Sequence, residues 1–190
     1  MTLVFRPSPP VRDAIAGFIH RLKAICPEQY FYQPEELHVT VLAVVSGTED
    51  WQREMDRVER CRSVIGEVLK IQRPFKMSFR GVSAAAVGVI VQGFPQDGGL
   101  FAVRDEIRDA FARNGLGDML DRRYKISGAY MTIMRFRQPC ADLKGLVSFL
   151  KENRKTDFGE CEIDNIQFYL ADWYSSTETV RMLQEYRLTG

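Results

Sequence analysis

The sequence predicts an α+β domain built as a duplicated, bilobal fold with a cleft between its halves. Three observations lead there. Stretches with helical spacing of apolar residues alternate with stretches of apolar–polar alternation. The 190 residues suit one large domain or two closely packed lobes, and no linker or low-complexity segment divides them. The chain also matches itself without a gap when shifted by 92 residues, the step that carries position 38 onto position 130.

At that offset Val11-Arg12-Asp13 falls on Val103-Arg104-Asp105, and Ile15 falls on Ile107. Arg21 meets Arg113, Tyr32 meets Tyr124, and Thr40 meets Thr132. Val39-Thr40-Val41-Leu42 lands on Met131-Thr132-Ile133-Met134, which keeps the apolar pattern. Each identity alone could be chance between two helix–strand pairs; the shared offset favours duplication, with halves of about 1–95 and 96–190 in one domain.

The elements follow in order. Leu3 to Phe5 reads as a short strand, and prolines 7, 9 and 10 turn it into a helix from Val11 to Ile25, with Ile15, Phe18, Ile19 and Leu22 on one face. Glu36 to Val45 alternates as a strand, and Asp50 to Leu69 as a helix with a charged face. Phe75 to Val82 and Ala86 to Val91 read as strands. Asp97 or Gly98 caps a helix that stops at Asn114-Gly115. A basic loop with Arg122, Arg123 and Lys125 leads to a strand from Gly128 to Arg135. Asp142 to Asn153 reads as a helix, and two strands follow, near Cys161–Leu170 and Val180–Leu188.

Composition excludes several functions. Twenty-six basic and 25 acidic residues leave a net charge of +1, which does not grip duplex DNA but leaves room for a small anionic ligand. Four scattered cysteines without a CxxC pair, and only His20 and His38, assemble no zinc cluster. Dispersed thiols fit a reducing compartment. With no apolar run of membrane-span length and no signal-peptide core, the expectation is a cytoplasmic protein without membrane contact.

The chemistry sits on two strands. Alternate strand residues share a face, so His38 and Thr40 point one way while Leu37, Val39 and Val41 point the other. Tyr130 and Thr132 are paired in the same way, against Ala129, Met131 and Ile133. If a pseudo-twofold relates the strands, two hydroxyls and two larger donors converge on one point, which suits a tetrahedral oxyanion. Each residue also has a plainer reading. A strand histidine can be structural, threonine is a good strand former, and Tyr130 reads equally as a half-buried strand tyrosine. Tyr32, Tyr124, Tyr169, Trp173 and Tyr174 suit a stacking surface for a base and equally a core or rim. His20 reads as solvent-facing. Arg135 has the wrong parity to join Tyr130 unless the strand bulges.

Pro34-Glu35-Glu36-Leu37-His38-Val39-Thr40-Val41 resembles the first signature of the 2H phosphoesterase superfamily, which includes 2′–5′ RNA ligase-like and cyclic phosphodiesterase proteins. The resemblance covers essentially the whole chain. It implies a 2′–5′ RNA ligase-like fold, with two antiparallel-rich sheets, outer helices and a central cleft. It further implies His38 and Tyr130 as catalytic positions and Thr40 and Thr132 as phosphate-binding ones. Tyr32, Tyr124, Arg135 and Tyr169 are candidate substrate contacts, and no metal or organic cofactor is implied. The implied ligand is the phosphate of a nucleotide or RNA terminus, hydrolysed or transferred at a 2′,3′-cyclic or 2′–5′ phosphodiester. Ala129-Tyr130-Met131-Thr132 departs from the pattern, because Tyr130 stands where the family has its second histidine. A phenol with an ordinary pKa near 10 donates well at neutral pH but is a poor base. The alternative is therefore an inactive nucleotide- or phosphate-binding module using the same cleft, and a purely structural interaction protein is a third reading.

Overall fold

Proline belongs in the first turn of a helix, where its fixed φ fits and its missing N–H has no partner to lose. In the computed structural model, which describes residues 1–44, 51–121, 126–171 and 179–190, strand β1 (Thr2–Phe5) gives way to α1 (Pro9–Lys23) two residues earlier than the apolar spacing suggests. Val11, Ile15, Phe18, Ile19 and Leu22 are buried along one face of α1. Each such side chain contributes roughly 1.5–3 kcal/mol when removed from water.

A two-residue strand, β2 (Tyr30–Phe31), precedes β3 (Val39–Ala43). The strand predicted from Glu36 thus begins three residues late. The Glu36 side chain is buried and accepts from the Gln33 N–H at 2.8 Å, while the Glu36 N–H donates to the Gln33 carbonyl, closing a turn. Val45, the predicted end, lies outside the described residues. Then come α2 (Trp51–Lys70), β4 (Phe75–Ala85), β5 (Gly88–Pro95) and α3 (Gly99–Arg113). β4 and β5 form a longer hairpin than predicted, pairing from Met77↔Pro95 to Ala85↔Gly88. Gly88 is required there, since a Cβ would lie 1.9 Å from the Met134 carbonyl oxygen. At α3 the Asp97 carboxylate accepts from the Gly99 N–H at 2.9 Å. A single 3-10 turn (Gly117–Met119) precedes β6 (Ala129–Arg135) and α4 (Leu143–Glu152), which Asp142 caps by accepting from the Gly145 N–H.

The predicted strand at Cys161–Leu170 is two strands, β7 (Asp157–Ile163) and β8 (Asn165–Leu170), and the chain changes sheet between them. β9 (Arg181–Arg187) follows. One sheet has the order β3-β1-β8-β9 and the other β2-β6-β5-β4-β7, all neighbours antiparallel. Counted from β3 and from β6, β1 takes the place of β5, and β8 the place of β4. Each sheet draws strands from both sides of residue 95, so the lobes are not the linear halves of the sequence. Among the described residues no helix is long and apolar enough to cross a membrane.

Candidate functional site

β3 and β6 are both bulged, and at matching places. Thr40 stands opposite Val4 and Leu42 opposite Leu3, which leaves Val41 as the extra residue. Thr132 stands opposite Ile90 and Met134 opposite Val89, which leaves Ile133 extra. Val41 and Ile133 are separated by the same 92 residues as the sequence match. A bulge lets two consecutive side chains face one way. Val39, Val41 and Leu42 are accordingly buried on β3, and Met131, Ile133 and Met134 on β6, whereas Thr40, Thr132 and Arg135 are half-buried on the opposite face. The bulge thus removes the parity objection to Arg135.

His38 sits just before β3, half-buried. Its Nδ1 lies 2.6 Å from the Glu36 carbonyl oxygen. A carbonyl can only accept, so Nδ1 carries the hydrogen and donates, and Nε2 is left with the lone pair of a base. Burial brings the imidazole pKa down to about 4; the Glu36 carbonyl opposes this, and the charges of Arg6 and Arg135 add to it. His38 is therefore neutral near pH 7. The Tyr169 ring meets it edge-on at 6.1 Å between centroids.

Two arginines flank this histidine from different strands. Arg6, just beyond β1, donates from Nε to Gln167 Oε1 at 3.1 Å and from Nη1 to the Glu35 carbonyl. Arg135 donates from Nε to the Tyr32 hydroxyl at 2.6 Å. Tyr32 packs edge-on against Tyr30 at 5.1 Å, and the Tyr30 hydroxyl donates toward both Glu36 carboxylate oxygens at 3.3 and 3.4 Å. Burial, then Glu36, pushes the Tyr30 phenol up to about 12, which keeps it a donor. The turn before His38 and the arginine beside it are thus tied into one network.

Arg104 on α3 is 1% exposed and reaches β3, donating from Nε to the Val41 carbonyl at 3.0 Å and from Nη2 to the Thr40 carbonyl at 2.9 Å. It holds the irregular backbone that aims Thr40. Its Nη1 is buried without a hydrogen-bond partner among the described residues, and the Tyr130 phenol lies within its electrostatic reach. Burial lowers the guanidinium pKa to about 10, still charged at neutral pH. Arg104→Met is expected to destabilise the fold by about 2–4 kcal/mol, because two carbonyls lose a charged donor. Urea unfolding should show a lower midpoint at unchanged slope.

Of the predicted residues, His38, Tyr169, Arg135 and Tyr32 come together as one group. Arg104 holds the Thr40 carbonyl, and its charge acts on the Tyr130 phenol without a hydrogen bond between them. Tyr130 is 48% exposed on β6, opposite Gln92. Tyr32 and Tyr169 are buried, so their rings back Arg135 and His38 in this structure. His20 is exposed. Tyr124, Arg122, Arg123, Lys125, Trp173 and Tyr174 lie outside the described residues. Sequence reasoning missed Arg6, Gln167 and Arg104. Continuing the Thr2–Val4 alternation by one step finds Arg6, and Arg104 already matched Arg12 in the repeat. A pocket of about 340 Å³ shares Arg6 and Gln167 with this face, but Glu162 and Asp164 line it beside Arg12. That mixture of charge does not make an anion site.

A family model described as AKAP7 2′5′ RNA ligase-like domain matches residues 8–181. No curated protein matches. Among solved structures, TT0787 of Thermus thermophilus superposes with a TM-score of 0.72 at 13% identity, covering 100% of this chain and 97% of that one. E. coli LigT complexed with 3′-AMP gives 0.66 at 13% identity, with 100% and 97% covered. LigT complexed with phosphate gives 0.63 at 14%, with 100% and 96% covered. At such identities these neighbours speak for the fold.

Proposed function

Because this chain belongs to the AKAP7 2′5′ RNA ligase-like domain family, within the 2H phosphoesterase superfamily, we propose that its cleft binds the phosphate of a nucleotide or RNA end and acts on a 2′,3′-cyclic or 2′–5′ phosphodiester there. The observation that carries the reading is the held tautomer of His38: Nδ1 is committed to the Glu36 carbonyl, so Nε2 is a base beside two arginines. In the proposed step Nε2 takes the proton of the attacking water or hydroxyl. The Thr40 and Thr132 hydroxyls and Arg135 hold the non-bridging oxygens, and the Tyr130 phenol donates to the leaving oxygen. With His38 neutral near pH 7, arginine rather than imidazolium meets the anion's charge before reaction. Bound nucleotide and phosphate in the LigT structures support the ligand class. The four cysteines, none of them in a disulfide, support a reducing, cytoplasmic setting.

A second reading, a binding module without turnover, is favoured by Tyr130 at the second histidine position. Calorimetry with 3′-AMP and inorganic phosphate, beside turnover assays on 2′,3′-cyclic and 2′–5′-linked nucleotides, separates the two. The double variant Thr40→Val with Thr132→Val is expected to weaken 3′-AMP binding by about 30-fold, at about 1 kcal/mol per lost hydrogen bond. Failure of millimolar 3′-AMP and phosphate to bind the wild type counts against both readings.

A further inference from the structure

Cys26 and Cys140 are far apart in the chain and adjacent in space. Cys26 is fully buried two residues beyond the C-cap of α1, and Cys140 is half-buried in the segment after β6. Their sulfur atoms lie 3.0 Å apart across 114 residues of sequence. The surrounding backbone is clamped. The Arg137 N–H donates to Gln29 Oε1 at 2.9 Å, Gln29 Nε2 donates to the Gln138 carbonyl at 3.1 Å, and the Ala141 N–H donates to Glu28 Oε1 at 3.1 Å. The two thiols are therefore held together by the fold and not by two mobile side chains.

We propose that Cys26 and Cys140 are a redox modification site, closing to an intramolecular disulfide when the protein meets a peroxide. A metal is the competing use of such a pair, since a Glu28 oxygen lies within 4.8 Å of both sulfurs. Structural zinc takes four ligands at about 2.3 Å from each sulfur, which spreads two sulfurs to about 3.8 Å. Among the described residues this cluster offers three ligands with the sulfurs closer than that, and the Glu28 carboxylate already accepts from Gln29 and Ala141. Bond formation needs about 2.0 Å, a small side-chain rotation away.

The order of events follows from exposure. Burial, then neighbouring Cys140, pushes the Cys26 thiol up to about 12, so the more accessible Cys140 meets the oxidant first. Its thiolate attacks one peroxide oxygen, the O–O bond breaks, and Cys140 becomes a sulfenic acid while hydroxide leaves. The Cys26 sulfur then displaces the sulfenic oxygen as water and gives up its proton toward the adjacent Glu28 carboxylate and solvent. In sum, two thiols lose two electrons and two protons, and one peroxide becomes two waters. Such transient, sensing disulfides are the kind found in reducing compartments.

The test treats the reduced full chain with stoichiometric hydrogen peroxide. Free thiols should fall from four to two, the intact mass should fall by two hydrogens, and a peptide map should link Cys26 to Cys140, all reversed by dithiothreitol. Closing so long a loop should raise Tm by at least ~5 °C. Cys161→Ser should still form the link and Cys140→Ser should not. Sulfinic acid on Cys140 with Cys26 still a thiol would overturn the proposal. So would one equivalent of zinc binding the reduced protein and shielding both thiols.

Discussion

Replacing His38 with alanine is expected to lower turnover of a 2′,3′-cyclic nucleotide by about 10²–10⁴-fold while circular dichroism stays unchanged, the usual cost of a positioned proton acceptor. The acid limb of the pH–rate profile carries the finer test. The proposed step uses the neutral imidazole, so kcat/KM should hold from pH 7 to about 5 and fall as pH drops through about 4. An ordinary histidine would put that limb near 6.5. In the kcat profile it should move upward, because a bound phosphate favours imidazolium. The same shift acts on stability. The unfolded state binds this proton near pH 6.5 and the folded state only near 4. Its contribution is therefore present above 6.5 and lost progressively as pH falls to about 4, by no more than about 3 kcal/mol. His38→Gln should flatten that part of the stability curve. An acid limb that stays at 4 in His38→Gln would assign it to another group.

Tyr130→His is expected to raise phosphodiesterase activity, or create it, by roughly 10–10²-fold. The side chain is half in solvent on β6, so an imidazole fits without repacking the core. In the proposed step a neutral His38 imidazole accepts the proton and the Tyr130 hydroxyl faces the leaving oxygen. A histidine titrating near 6.5 both donates and accepts there. The pH profile should turn bell-shaped, with apparent pKa values that belong to the pair. A folded Tyr130→His variant slower than wild type on a substrate wild type turns over would mean that the phenol is itself a selected catalytic group. Exposure alone makes the substitution safe for the fold; only the rate decides between those two histories.

Most elements could be read from the sequence because apolar spacing and proline or glycine punctuation set them locally. α1 and α3 fall within a few residues of expectation for that reason. The misses arise where distant contacts override local pattern. Glu36 reads as the first residue of a strand, yet its carboxylate ends up buried in a turn with Gln33 and Tyr30. Cys161–Leu170 reads as one strand because alternation carries no mark of a change of sheet. Strand alternation nominates the motif positions, and Thr40 and Thr132 are indeed half-buried between buried apolar neighbours. Arg135 was legible only in part, since strict parity turns it away and the unpaired Ile133 turns it back. Arg6 and Arg104 were hidden by distance. Nothing near Arg104 in sequence says that its partners are carbonyls some sixty residues earlier.

The mixing of strands from both sides of residue 95 bears on how the polypeptide is made. When the first half has left the ribosome, β1 and β3 can pair, but β8, the neighbour on the other side of β1, has not been synthesised. The β4–β5 hairpin likewise waits for β6 and β7 on its two edges. Neither sheet can be completed before β7, β8 and β9 have been synthesised, and a nascent chain carries open strand edges until they emerge. Pairings such as Thr2 with Tyr169 also close very long loops, which slows folding. Chaperone dependence during synthesis, and insolubility of either half expressed alone, are the physiological counterparts of this topology.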